Sequence, residues 1–400
     1  MTTPKDSVAF LILLVFLSMV GPLTLNILVP SLPGMVASLN APKEEVQLTL
    51  SLYLLGMGVS QLVLGPLADR FGRRPVVLVA LITYIAASFF AFAAPNVEIL
   101  IVARILQSFG ATAGLTLART MIRDLYGRDA AASRIGYVTM AMVVAPMIAP
   151  VLGATIDDLY GWRAILLFCA ALGVLAVVIG GLSLPETRPP SLVAVTWGEV
   201  TKRTFELSLN LRFLGFWGTS AFCSGIFFAF LGAAPYLMIE VLGRPKTEYG
   251  FWFMSLSIGY MAGNFISGRF AERIGLETLI GWGNVFGLIG AIAFLAMALA
   301  GWLSPMMLFL PAMVTSFGNG LVLPNAIAGG LGVDAKAAGA GSGMMGFGQM
   351  GFGAIMSYLG GKIVDGTALP LAILMMICAI LALVAGFFAR RPELDDGKSL

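Results

Sequence analysis

The chain has 400 residues, of which 58% are hydrophobic and only 11% charged, with a net charge of +3. An ordinary soluble domain is about 45–50% apolar and about 25% charged, so these few charges cannot coat a water-facing surface and the expected solvent is a lipid bilayer. Histidine is absent, which excludes His-based acid–base and metal chemistry; Cys169, Cys223 and Cys378 lie apart in apolar runs, which predicts neither disulfide nor metal site; and no block of like charge invites nucleic acid.

A spanning helix needs about 20 mostly apolar residues. Breaks at Pro, Gly and charge clusters predict twelve. The first six are 8–31, 46–67, 76–94, 98–122, 135–156 and 163–184; the second six are 212–239, 249–270, 279–300, 305–331, 338–361 and 369–389. The first run is longer than a signal-peptide core and many similar runs follow, so it reads as an uncleaved span. The stretch 185–211 holds Glu186, Arg188, Glu199, Lys202, Arg203 and Glu206 and is the longest polar one. The expected organisation is an all-α membrane protein: a half at 1–190, a cytoplasmic linker at 191–211 and a half at 212–400.

Orientation follows from Lys and Arg. With the N-terminus in the cytoplasm, seventeen of them fall inside, five fall outside, and Arg104 and Arg119 lie within a span. Both termini are therefore expected in the cytoplasm. The chain also repeats itself. A shift of 203 residues lays Gly56 on Gly259, Gln61 on Asn264, Gly65 on Gly268, Asp69 on Glu272, Arg70 on Arg273 and Gly72 on Gly275. Two parallel six-span halves with a substrate site between them are a transporter plan.

The loop after span 2 reads Gly65-Pro66-Leu67-Ala68-Asp69-Arg70-Phe71-Gly72-Arg73-Arg74-Pro75. Gly65 is expected to let helices approach closely and Gly72 to permit a tight turn. Asp69 is placed to cap a helix of the other half or to pair with an arginine, in contacts that form in one conformation and break in the other. A plain positive-inside turn is the alternative. Span 5 holds Pro146, Pro150 and Gly153; each proline removes a backbone donor and bends the helix. Arg104 is a charge inside the hydrocarbon layer, with Gln107 and Ala111 on its face. It marks a substrate or ion pathway unless it snorkels to the interface.

The Gly65–Pro75 string resembles the loop 2–3 signature of the major facilitator superfamily. Leu28-Val29-Pro30-Ser31-Leu32-Pro33, Ala103–Ala111, Ala118–Tyr126, Ala145–Gly153 and Gly161-Trp162-Arg163 are similar to the Bcr/CflA group of bacterial multidrug exporters. That resemblance implies export of small amphipathic compounds across a bacterial inner membrane by proton antiport and alternating access. It implies a monomer without cofactor, and Pro146, Pro150 and Gly153 as the antiporter motif. The group usually has an aspartate where this chain has Asn26, and an amide cannot carry a proton on and off. The alternative is a uniporter or importer of a small metabolite. None of the 21 acids lies mid-span; Glu45, Glu98, Glu240 and Asp124 are the replacement candidates. With no mid-span acid, Arg104 is expected to meet Asn26, a backbone carbonyl, or an anionic or zwitterionic substrate. The expected substrate and coupling pathway comprises Asn26, Gln47, Arg104, Gln107, Phe222, Tyr236, Asn319 and Gln349. The expected switch comprises Gly65, Asp69, Arg70, Gly72, Arg73, Arg74, Glu272 and Arg273.

Overall fold

The computed structural model describes residues 8–126, 134, 138, 142–189, 197–334 and 337–390. No strand occurs among them, and fourteen α-helices do. In chain order these are α1 (Val8–Ile27), α2 (Leu32–Leu39), α3 (Lys43–Phe71), α4 (Arg73–Phe92), α5 (Val97–Leu125), α6 (Val144–Tyr160) and α7 (Trp162–Ser183). Then follow α8 (Trp197–Leu209), α9 (Leu211–Pro235), α10 (Lys246–Ile274), α11 (Leu276–Leu299), α12 (Pro305–Val333), α13 (Ala338–Lys362) and α14 (Leu369–Ala389). α8 lies in the expected linker. α1 and α2 form one bent span, so twelve spans remain.

The first span is longer than expected. It does not end at residue 31 but turns through a tight helical segment, Val29–Ser31, and runs on to Leu39. Pro30 and Pro33 are the cause, since each lacks an N–H and clashes with the preceding turn. α9 shows the same physics: after Pro235 it widens into a π-helix, Tyr236–Val241. Of the expected span 5, residues 135–137 and 139–141 lie outside the described residues, and α6 carries the rest.

The repeat is structural as well as textual. α3 and α10 are both 29 residues long, with starts 203 positions apart. Each follows a proline in extended backbone, Pro42 or Pro245. Each ends at a left-handed glycine, Gly72 (φ 97°) or Gly275 (φ 86°), where a side chain would be strained. α5 and α12 are likewise 29 residues each.

Nine spans among the described residues are long and apolar enough to cross a membrane on composition alone. α6, α10 and α13 are the other three; each packs on the opposite half and also keeps an exposed apolar face, with Ile148, Phe265 and Ile355 on it. α3 packs on α13 and α6 on α10, and these two seams join the halves. α4, α7, α11 and α14 turn outward, with Ile82, Val178, Ile289 and Ile377 exposed as a lipid-facing surface requires.

Candidate functional site

A cavity of about 260 Å³ lies between the halves. α1, α3, α5 and α6 supply Asn26, Met57, Gln61, Arg119 and Pro146; α9, α10, α12 and α13 supply Phe227, Phe228, Tyr260, Asn264, Asn319, Gln349 and Met350. Its chemistry is apolar with scattered amides and one guanidinium, the composition of a small-molecule site. No carboxylate lines it among the described residues.

One end of the cavity is shut by contacts between the halves. Lys246 Nζ on α10 donates to Asp157 Oδ2 on α6 at 2.7 Å, and Asp158 stands 3.9 Å away. Gln47 Nε2 on α3 donates to the Ser357 carbonyl at 2.9 Å and to its hydroxyl at 3.1 Å. The Lys43 ammonium lies 4.4 Å from the Tyr236 ring centroid. Lys43 and Lys246 are the same position in the two copies of the repeat. Each begins its helix and reaches across to the opposite half, one to an aromatic ring and one to a carboxylate. Nothing in their charge alone distinguished them from ordinary loop lysines; their equivalence under the 203-residue shift was the available signal.

The expected pathway residues divide. Asn26, Asn319 and Gln349 line the cavity, as does Pro146. Gln47 and Tyr236 belong instead to the closed end. Phe222 stands against Phe352, ring centroids 5.0 Å apart, and does not line the cavity. Arg104 and Gln107 are buried inside the first half. Arg104 Nη1 donates to Gln107 Oε1 at 2.5 Å, and its other nitrogens reach the carbonyls of Thr49 and Thr24 at 3.4 Å. Its guanidinium sits 4.1 Å from the Tyr53 ring centroid. Gln107 passes the chain on to Ser88 at 2.7 Å. These bonds tie α1, α3, α4 and α5 together, so Arg104 meets backbone carbonyls and Gln107, not Asn26 and not the cavity. Of the span 5 motif, Gly153 packs on the Ile27 carbonyl and Pro150 lies beside Gly250.

At the opposite end stands the loop motif. Arg73, nearly fully buried, pairs with Asp69 and, at 3.0 Å, with Asp124. Asp69 therefore pairs with an arginine of its own half and caps no helix of the other. Glu186 closes the arrangement by accepting from the backbone N–H groups of Arg73 (2.9 Å) and Arg74 (3.2 Å) at the start of α4. Burial pushes its carboxyl up, but backbone donors from Arg188, Arg73, Arg74 and Thr187 together hold it below its ordinary value. Its contribution is thus present at neutral pH and is lost as pH falls through that lowered value. Arg74 also donates to the Gly181 carbonyl, and Arg70 lies over Phe71. The expectation for Gly65 is corrected: a Cβ there would meet nothing, so it makes no close helix contact. The expectation for Gly72 as a turn stands.

Replacing Arg73 leaves two carboxylates facing each other with no cation. Arg73→Gln is expected to destabilise the protein by about 2 kcal/mol or more, approaching the about 3–5 kcal/mol of a fully buried pair. Thermal melting of the purified protein checks this, and Arg73→Gln with Asp124→Asn should recover part of the loss.

The second copy of the motif lacks this triad. Leu276 occupies the position of Arg73, and Gly332 that of Asp124. Glu272 and Arg273 are exposed. A groove lined by Ala271, Glu272, Gly275, Leu276 and Gly332 lies where the triad stands in the first half. Glu277 pairs instead with Arg212 at 3.2 Å.

Two pseudo-symmetric six-helix halves around a shared cavity, latched at one end, are the plan of a membrane transporter. A sequence profile described as Major Facilitator Superfamily matches residues 14–357, and the chain belongs to that superfamily. It is 32% identical over 340 residues to multidrug resistance protein D of Escherichia coli strain K12, covering 82% of each chain. It is 26% identical over 392 residues to a bicyclomycin resistance protein homolog of Haemophilus influenzae, covering 97% of this chain and 98% of that one. These relatives agree with the Bcr/CflA type read from the sequence. A bacterial homolog of the human lysosomal transporter Spinster, solved inward-facing and unoccupied, shares the fold with a TM-score of 0.73 at 15% identity, over 97% of both chains.

Proposed function

We propose that this protein exports small amphipathic compounds, drugs among them, from the cytoplasm of a bacterial cell, as a monomer in the inner membrane and without a cofactor. On this reading both termini are cytoplasmic, the loop motif faces inward and the Lys246–Asp157 end faces outward. The observation that carries it is the cavity between the halves on the inner side of a closed set of contacts, which is the posture of a carrier awaiting cytoplasmic cargo. Flexible Met57 and Met350 beside Phe227 and Phe228 suit ligands of varied shape. The relatives' resistance names support the export direction.

Proton antiport needs a carboxylate, and the cavity offers none among the described residues. We assign the proton to Asp157 at the closed end. Its carboxylate belongs to a contact that must break when the outer end opens, so it takes its proton from the outer face. The acid-free cavity also favours a second reading, a facilitator with no coupling ion.

Everted vesicles with a respiration-built pH gradient separate the two. Substrate-dependent proton release, lost in Asp157→Asn, is the result expected of antiport. Transport of a compound with the gradient untouched would establish the facilitator.

A further inference from the structure

Arg119 is the charge in the cavity wall. It sits half-buried on α5, with Tyr260 and Asn264 of the second half lining the same cavity. No hydrogen bond or ion pair joins it to any described residue. The ionisable groups that act on it are Tyr260, a neutral phenol, and Arg123, a second cation. The nearby acids are committed elsewhere, Asp69 and Asp124 both to Arg73. Under the repeat that aligns α5 with α12, Arg119 corresponds to Ile327, which lines the same cavity. The positive charge therefore belongs to one wall only.

Two other wall residues present unmet polar atoms. Asn26 is 2% exposed; its Nδ2 donates to the Pro22 carbonyl at 2.8 Å, and its Oδ1 has no donor. Gln349 is 9% exposed, and its Nε2 has no acceptor. A cation, an acceptor and a donor thus line a mostly apolar chamber without partners among the described residues. A cation is expensive to hold at such a place unless an anion joins it. A carboxylate supplies that anion through charge-assisted hydrogen bonds, in a planar shape that guanidinium matches.

We propose that the cavity is a binding site for amphipathic organic anions, with a hydrogen-bond donor elsewhere on the molecule adding to the affinity. The acidic oxygens meet Arg119. Asn26 Oδ1 and Gln349 Nε2 take the remaining donor and acceptor, and the apolar body lies against Met57, Phe227, Phe228 and Met350. The proposal builds on the reading of this cavity as the transport site, and it moves anion recognition from Arg104 to Arg119.

Three compounds with one naphthalene body test it: 1-naphthylacetate, 1-naphthylacetamide and 2-(1-naphthyl)ethylammonium. Equilibrium binding is measured on the purified full-length protein in lipid nanodiscs. The acid is expected to bind about tenfold or more tighter than the amide, and the ammonium weakest. Arg119→Gln should bring the acid down to about the amide's affinity, with an unshifted melting temperature as the sign of an intact fold. Arg119→Lys should keep part of the preference. Equal binding of acid and amide overturns the proposal, as does tighter binding of the ammonium. So does an acid preference that survives Arg119→Gln, or no binding of any probe at millimolar concentration. Binding in the expected order with no efflux of naphthylacetate from vesicles would leave this site standing and sink the export reading. Efflux without an acid preference would do the reverse.

Discussion

Gly153→Ala is expected to abolish most transport and to lower the melting temperature sharply, whereas Gly65→Ala should be nearly silent. A Cβ on Gly153 would run into the Ile27 carbonyl oxygen. That oxygen is backbone, at the point where the first span bends, so no side-chain rotation relieves the contact. α6 would have to move off α1. Overpacking a core typically costs about 1–3 kcal/mol, and a clash with backbone belongs at the upper end or beyond. The damage would not stay local. Pro150 and Val151 on α6 touch Gly250 of the second half, and Asp157 on the same helix holds Lys246. A displaced α6 therefore disturbs the latch between the halves. Melting curves and vesicle efflux on the two variants check both halves of the prediction; equal behaviour of the two would show that this contact is not decisive.

Breaking the Lys246–Asp157 bridge is expected to open the closed end. Asp157 is 7% exposed and Lys246 25%, so the pair is shielded from much of the water that weakens surface ion pairs. Asp157→Asn leaves Lys246 with Asp158 alone, 3.9 Å away. A conformational bias of about 1–3 kcal/mol corresponds to about a 5–150-fold change in the populations of the two states. The readout is labelling of Ser257→Cys, in the cavity wall, by an impermeant maleimide applied from the outer face. The background has Cys169, Cys223 and Cys378 replaced. Labelling should accelerate at least about fivefold in Asp157→Asn. The exchange Lys246→Asp with Asp157→Lys should return it toward the starting rate. Unchanged labelling in Asp157→Asn would mean that Gln47–Ser357 and Lys43–Tyr236 hold the end unaided.

The fold was readable from the sequence because its causes are local. Apolar runs set the spans, and the 203-residue repeat reappears as α3 and α10 with matching starts, lengths and terminal glycines. The first span overran its expected end because two prolines bent the helix where they were expected to stop it. The site was less readable. Arg104 stood out as a charge in an apolar run, yet its partners are a glutamine one turn away and carbonyls of two other helices, contacts that only packing creates. Arg119, equally visible as a charge within a span, becomes a wall residue only through the packing of the two halves. Gln47 and Tyr236 are expected in the pathway, and their depth along the helix puts them in the latch. Asn26, Asn319 and Gln349 line the cavity, whereas the amides of Gln47 and Gln107 are taken up by partners elsewhere, a division that the sequence does not mark.

The groove around Glu272, Leu276 and Gly332 has a meaning for descent. If both halves came from one ancestral unit, the arginine and the inner carboxylate of the triad were not free to be gained or lost singly. A carboxylate as enclosed as Asp124 is poorly tolerated once its arginine is gone, and the arginine is poorly tolerated without it. The exposed acid, Glu272, is under no such constraint and stands beside Arg273 in the second copy without the triad. Divergence between the copies, whichever of them changed, therefore took a coupled step at two sites far apart in sequence.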